Sequence, residues 1–338
     1  MKILLFVNGG LGDAVSIIPV IRTIKKKYPA SFLDIYSDKK YINDLFGSDH
    51  DISNIVNDDY MGIKYDYILC CFNVSVHSTK DLIRYKIKHR STKILMGVQR
   101  NKYFVNLLKN IFFCTSLVNF ENNIRYNNLS LLTYLNIDAS DYVFDCFAKS
   151  KKLNLTESIH QNRYLVFNIG ASSGLITPKR WPIDNWLSLI KLIPSTDIIL
   201  VGDIGDINLL DNVVLPSNNV LNLVGKTSVL ELMSLVKDAE LSISGDSGFS
   251  HLTNAVGGRL LLLWGPSLFN YSRPLNFIDD KTTYIITKIP CAPCFGTANL
   301  NMERDALAKC AYSNACMTSI TSEMVYNELV KLRIIESN

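Results

Sequence analysis

Short apolar runs alternate with amphipathic segments along most of this chain, and the rhythm breaks once. In the first half, "KILLFV" (2–7), "FLDIYS" (32–37) and "YDYILCCF" (65–72) read as buried strands with helical patterns between them. The first of those helices, 13–27, closes on "KKKYP", where lysines suit the negative end of a helix dipole. Segment 100–135 reads as mostly helical, interrupted by asparagines. Around "AKSKKLNLTESIHQNR" (148–163) the pattern lapses into polar residues, as a linker would.

The alternation then restarts. Strands are expected at 164–170, 197–202, 220–225, 241–245 and 259–265, and helices at 183–193, 205–213, 228–239, 248–257 and 322–335. Such alternation specifies α/β architecture with parallel sheets, and 338 residues suffice for two domains. We place them at 1–155 and 156–338, the second carrying a cysteine-rich loop (291–316) and the final helix.

Composition narrows the class. Hydrophobic residues make up 48% of the chain, too many for a disordered protein. The apolar start is broken by "NGG" too early for a signal peptide or a membrane span, so a cytoplasmic protein is expected. Net charge is only +4, yet nine Lys or Arg and a single acid, Asp81, fall between Lys80 and Lys109. That stretch is either a solvated helix face or a surface for an anionic partner. No nucleic-acid-binding motif accompanies it, so no nucleic-acid partner is expected.

Three strand-to-helix turns carry the chemistry. In "NGGLGDAVSIIP" (8–19), Gly10 and Gly12 supply two glycines of a dinucleotide fingerprint, but Val15 stands where the third belongs. Asp34 offers the acid that a nicotinamide enzyme would need, whereas Asp13 at the helix start would repel a pyrophosphate. Asp13 is therefore either a helix cap or a presented general base. In "NIGASSGLITPKRWPIDNW" (168–186), two serines and a lysine follow a strand, which suits a diphosphate. In "SISGDSGFSHLTNAVGG" (242–258), small residues precede a helix whose first N–H groups form an anion site, with His251 on its first turn.

In order and spacing, "GDAVSIIP", "KRWP" and "GDSGFSHLTNAVG" followed by "LLLLWGPS" resemble the lipopolysaccharide heptosyltransferases, the inverting glycosyltransferases of family 9. The resemblance runs over nearly the whole length. It implies a GT-B fold, two Rossmann-like domains facing across a cleft, with an ADP-heptose donor held mainly by the C-terminal one. Carried over by position, Asp13 becomes the general base and Lys179 the residue that neutralises the diphosphate. Ser172 and Ser173 become phosphate-binding hydroxyls, and Asp206 a ribose contact. Asp246, Ser247, Gly248 and His251 become phosphate and sugar contacts.

The implied acceptor is an anionic glycan of the lipopolysaccharide-core type, or a protein as in some relatives, with peripheral association at the inner face of the cytoplasmic membrane. No catalytic metal is expected, since no clear D-x-D motif appears. Cys291 and Cys294 form C-x2-C, and Cys310 and Cys316 follow after fifteen and five residues. This spacing suits a structural metal, zinc or iron, in a reducing compartment, or else reduced thiols. The rival classes are a nicotinamide-dependent oxidoreductase, a sugar-nucleotide epimerase and a non-catalytic nucleotide-binding protein.

Overall fold

The computed structural model describes residues 1–7, 9–71, 76–98, 112–117, 122–138, 140, 163–171, 177–215, 219–274, 281–294, 310 and 312–336. The chain divides into two compact units, Met1–Lys149 and Ser150–Asn338.

In the first unit, β1 (Lys2–Phe6), β2 (Phe32–Tyr36), β3 (Asn54–Val56), β4 (Tyr67–Cys70), β5 (Lys93–Val98) and β6 (Cys114–Leu117) form one sheet in the order β3-β2-β1-β4-β5-β6. Every pairing is parallel. The described α-helices are α1 (Leu11–Ser16), α2 (Ile18–Lys27), α3 (Tyr41–Phe46), α4 (Val76–Lys88) and α5 (Ile124–Ser130). Two expectations need correction. The helix expected over 13–27 starts at Leu11 and breaks at Ile17, because Pro19 has no N–H to return to Val15 and its ring crowds that carbonyl. The segment expected to be mostly helical contains the edge strand β6, four residues long and paired on one side to β5.

The second unit repeats the plan. β7 (Tyr164–Asn168), β8 (Asp197–Val201), β9 (Val220–Asn222), β10 (Leu241–Gly245), β11 (Leu260–Trp264) and β12 (Thr282–Ile286) lie in the order β12-β11-β10-β7-β8-β9, again all parallel. The described α-helices are α6 (Ile183–Leu192), α7 (Val229–Asp238), α8 (Gly248–Ala255), α9 (Phe269–Ser272), α10 (Ala315–Thr318) and α11 (Ser322–Lys331). Where an α-helix is expected at 205–213, a 3-10 helix runs over Ile204–Leu210.

Both faces of this sheet are buried, as parallel sheets require. Leu165, Phe167, Ile198, Leu200, Ile243, Leu261 and Leu263 pack on one side with Trp186 and Leu189 of α6 and Val325 and Leu329 of α11. Their strand neighbours Val166, Ile199, Val201, Leu260 and Leu262 pack on the other with Leu235 and Val236 of α7 and Phe249 of α8. β10 departs from this apolar filling at Ser242 and Ser244, both fully buried on the side that α8 covers. In each unit the strand order reverses beside the first strand, between β1 and β4 and between β7 and β10. Ligands of such sheets bind at the carboxyl ends of the strands flanking that reversal.

Candidate functional site

In the first unit the turn after β1 carries Asp13 at the third position of α1. Its carboxylate reaches back to accept the Gly10 N–H at 2.7 Å. Gly10 has no side chain to answer, so the link is one-sided. Gly9 is required for room, since a Cβ there would sit 2.2 Å from Asp13 Oδ2. Two side chains from distant elements fix this turn. The Tyr41 hydroxyl donates to the Gly9 carbonyl at 2.6 Å. Burial, then the charges of Asp13 and Asp38, push the Tyr41 phenol up, so it stays protonated and remains a donor. From the other side, the Asn128 amide donates to Ser16 Oγ at 3.0 Å, and Ser16 Oγ donates to the Asp13 carbonyl at 2.6 Å. Asp13 is half-buried. It is at once a helix-start acceptor and a carboxylate held at the carboxyl end of a central strand.

In the second unit the loops after β7 and β10 meet. Lys179 Nζ donates to Asp246 Oδ2 at 2.6 Å, and the Ser267 hydroxyl donates to the same oxygen. The Asp246 side chain is 4% exposed and that of Lys179 12%. Burial pushes the Asp246 carboxyl up, but the charges of Lys179 and His251 and the two hydrogen bonds outweigh it, holding it below the usual carboxylate range. The backbone of Lys179 is drawn in as well, since a Cβ on Gly245 would lie 2.7 Å from the Lys179 carbonyl oxygen. Trp181 anchors this segment, its indole N–H donating to the Ile320 carbonyl at 2.7 Å and its ring meeting Trp186 edge-on.

Asp246 and Ser247 lead into α8, and Ser247 is its N-cap residue. His251 lies on the first turns and is nearly buried. Asp206 is placed differently from a simple surface contact. It is 1% exposed, Oδ1 accepts from Arg180 at 2.7 Å and Oδ2 accepts the Asp203 N–H at 2.9 Å. Burial pushes its carboxyl up against the pull of Asp203 and Arg180. At 1% exposure this carboxylate is closed to a ribose hydroxyl in the present arrangement. Ser172 and Ser173 lie outside the described residues.

Three residues at these turns went unnoticed in the sequence. Asn168, at the end of β7, donates to the Gly170 carbonyl and to the hydroxyls of Ser244 and Ser247. A lone amide inside "YLVFNIG" was a readable signal. Tyr41 and Asn128 carry no signal of their own, being ordinary residues on amphipathic helices.

The family model described as glycosyltransferase family 9 (heptosyltransferase) matches residues 124–303, more than half of the chain. The chain belongs to glycosyltransferase family 9. A lipooligosaccharide heptosyltransferase 2 from Haemophilus influenzae is 30% identical over 114 residues, a stretch that spans 32% of this family 9 chain and 32% of that relative. Among solved structures, the ADP-heptose lipopolysaccharide heptosyltransferase II of E. coli superposes with a TM-score of 0.70 at 18% identity, covering 98% of both chains. A family 9 glycosyltransferase from Veillonella parvula gives 0.72 at 15% identity, covering 99% of this chain and 98% of the other. These likenesses show the fold, GT-B with two Rossmann-like domains. No described helix is long and apolar enough to cross a membrane.

The cysteine cluster sits where the end of β11 meets α10. Cys294 N–H donates to the Pro266 carbonyl at 2.9 Å, and the Asn314 N–H points at Cys310 Sγ at 3.4 Å. Burial raises Cys294 and pushes Cys316 up to about 11, and the neighbouring thiols of the set add to both shifts. Four thiols are chemically apt donors for zinc or iron. Among the described residues no group of three or more His, Cys, Asp or Glu is placed to hold a metal ion.

Proposed function

We propose that this chain transfers heptose from ADP-heptose to a glycan acceptor of the lipopolysaccharide type, with inversion at the anomeric carbon. The observation that carries the reading is the buried Lys179–Asp246–Ser267 assembly at the start of α8, beside the strand-order reversal. It places a cation against small residues and a helix start, which is what a diphosphate needs. The family match and the ADP-heptose named for the E. coli neighbour support the choice of donor.

In this mechanism Asp13 accepts the proton of an acceptor hydroxyl as that oxygen bonds to the anomeric carbon. The bond from that carbon to the diphosphate oxygen breaks in the same displacement, and ADP leaves with the electron pair. Lys179, the hydroxyls of Ser172 and Ser173, and the backbone at Ser247 and Gly248 offset the charge that develops on ADP. His251 and Asp246 complete the donor site, Asp246 by fixing Lys179. Asp206 acts from beneath, holding Arg180 and the 203–206 turn at the ribose side. No step needs a metal ion.

For the acceptor, Lys80, Arg84 and Lys88 lie exposed on one face of α4, while Arg100, Lys102 and Lys109 of the same basic stretch fall outside the described residues. That face suits the phosphates and carboxylates of a lipopolysaccharide core presented at the inner membrane surface. A protein acceptor is the alternative this face also accommodates. Reversing Lys80 and Arg84 to Glu raises the acceptor KM and leaves ADP affinity unchanged. The four cysteines we propose as a structural metal set that staples the loop before α11.

A thermal-shift panel tests the reading. ADP raises Tm and UDP, GDP, CDP and NAD do not, and ADP-heptose is then consumed only with acceptor present. A shift with NAD alone, or with another nucleotide, overturns the donor assignment.

A further inference from the structure

We infer that Asn168 is a positioning residue of the donor site, holding the Ser247 hydroxyl off the first turn of α8 so that its open N–H groups stay available to the diphosphate. The inference rests on the reading above that ADP is bound at this turn.

A serine at an N-cap ordinarily folds its hydroxyl onto the N–H of the second or third helical residue. The first N–H groups of a helix have no acceptor within it, so this bond is the default outcome. At α8 the Ser250 N–H is given to the Ser247 carbonyl at 3.1 Å, so the Phe249 N–H is the one a Ser247 cap would take. Ser247 has the extended backbone of an N-cap, φ −148° and ψ 172°, and yet makes no such bond. At two other hydroxyl-bearing N-caps of the same unit the default holds. Ser228 accepts from the Glu231 N–H at the start of α7, and Thr321 accepts from the Met324 N–H at the start of α11.

The hydrogen-bond directions around Ser247 explain the difference. Asn168 Nδ2 lies 3.1 Å from the Gly170 carbonyl, which can only accept, so the amide nitrogen and not its oxygen faces this cluster. Its second hydrogen is shared between Ser244 Oγ at 3.0 Å and Ser247 Oγ at 3.2 Å. Ser244 spends its own hydrogen on the Gly245 carbonyl at 2.8 Å. In the 3.3 Å contact between the two hydroxyls, Ser247 is therefore the donor. Both capacities of the Ser247 hydroxyl are directed inward, towards β7 and β10. Strand register enforces this, because Asn168 and Ser244 are direct partners across the β7–β10 pairing. Asn168 is 6% exposed and does not itself face the ligand.

The test is a double-substitution cycle read by calorimetric titration of ADP into the full-length protein. Asn168→Ala frees the Ser247 hydroxyl to cap α8, and ADP binds about tenfold more weakly, a loss of about 1.4 kcal/mol. Ser247→Gly, which keeps the backbone and removes the hydroxyl, supplies the reference affinity. The pair Asn168→Ala with Ser247→Gly binds like Ser247→Gly alone, since no hydroxyl is left to compete. Wild-type affinity in Asn168→Ala overturns the inference, as does a loss that persists equally in the double variant, which is what a purely structural asparagine gives. If Asn168→Ala does not fold, Asn168→Ser takes its place with the same expected pattern. Absence of ADP binding to the wild type overturns the donor reading itself, and this inference with it.

Discussion

Lys179 and Asp246 are bound to each other at 2.6 Å while both are nearly removed from solvent, 12% and 4% exposed. The lysine proposed to meet the diphosphate is therefore pre-paired with a carboxylate. Removing it leaves a buried charge uncompensated, which costs on the order of 3–5 kcal/mol. Lys179→Ala lowers Tm and weakens ADP binding together, whereas Lys179→Ala with Asp246→Asn recovers much of the Tm but not the affinity. Differential scanning fluorimetry and calorimetry separate the two effects.

Asp13 and its supports predict a graded series. Asp13→Ala lowers kcat by about 10²–10⁴-fold, the range for loss of a general base, and leaves the ADP Kd unchanged. Tyr41→Phe removes the hydrogen bond to Gly9, worth about 1 kcal/mol, and lowers kcat several-fold without moving the donor KM. Steady-state kinetics with saturating ADP-heptose read both. Near-normal turnover in Asp13→Ala removes it as the base.

How much of this was legible in the sequence depends on whether a residue acts alone or through a partner. Leu241–Gly245 and the start of α8 were placed correctly because an apolar strand and a Gly-Asp-Ser-Gly turn are local signals. The break at Ile17 was missed although Pro19 announces it, because the apolar period of α1 and α2 runs on across the kink. β6 was missed because four residues at a sheet edge carry too little pattern, and Thr115 and Ser116 give no apolar run. Asp13, Lys179 and Asp246 stood out by charge and position. That Lys179 grips Asp246, or that Asn128 reaches Ser16 from 112 residues away, is long-range pairing that no local pattern encodes.

Acid dependence follows from Asp246. Its folded value lies below the usual one, so its contribution to stability is complete above about pH 5 and is lost as pH falls through the unfolded value near 3.9 towards the folded one. Urea unfolding between pH 6 and 3 shows this as a falling midpoint, with a shallower fall in Asp246→Asn. An equal slope in the two proteins removes Asp246 as the source.

Metal content decides the cysteine set. Protein purified without chelator carries one zinc or iron per chain by elemental analysis, and Cys291→Ser or Cys310→Ser loses it with a lowered Tm. Stoichiometric metal in none of the preparations leaves the four residues as reduced thiols, consistent with the raised values of Cys294 and Cys316.

Gly9 adds a constraint of another kind. Its backbone is not in the left-handed region, so an alanine would suit the chain path, yet its methyl group would take the space that the Asp13 carboxylate fills. The acid is thus kept in place by a carbon that is missing from its neighbour. A single added methyl at position 9 becomes a way to evict the carboxylate with its chemistry unaltered, and any homologous chain with a larger residue there must present its acid from a differently shaped turn.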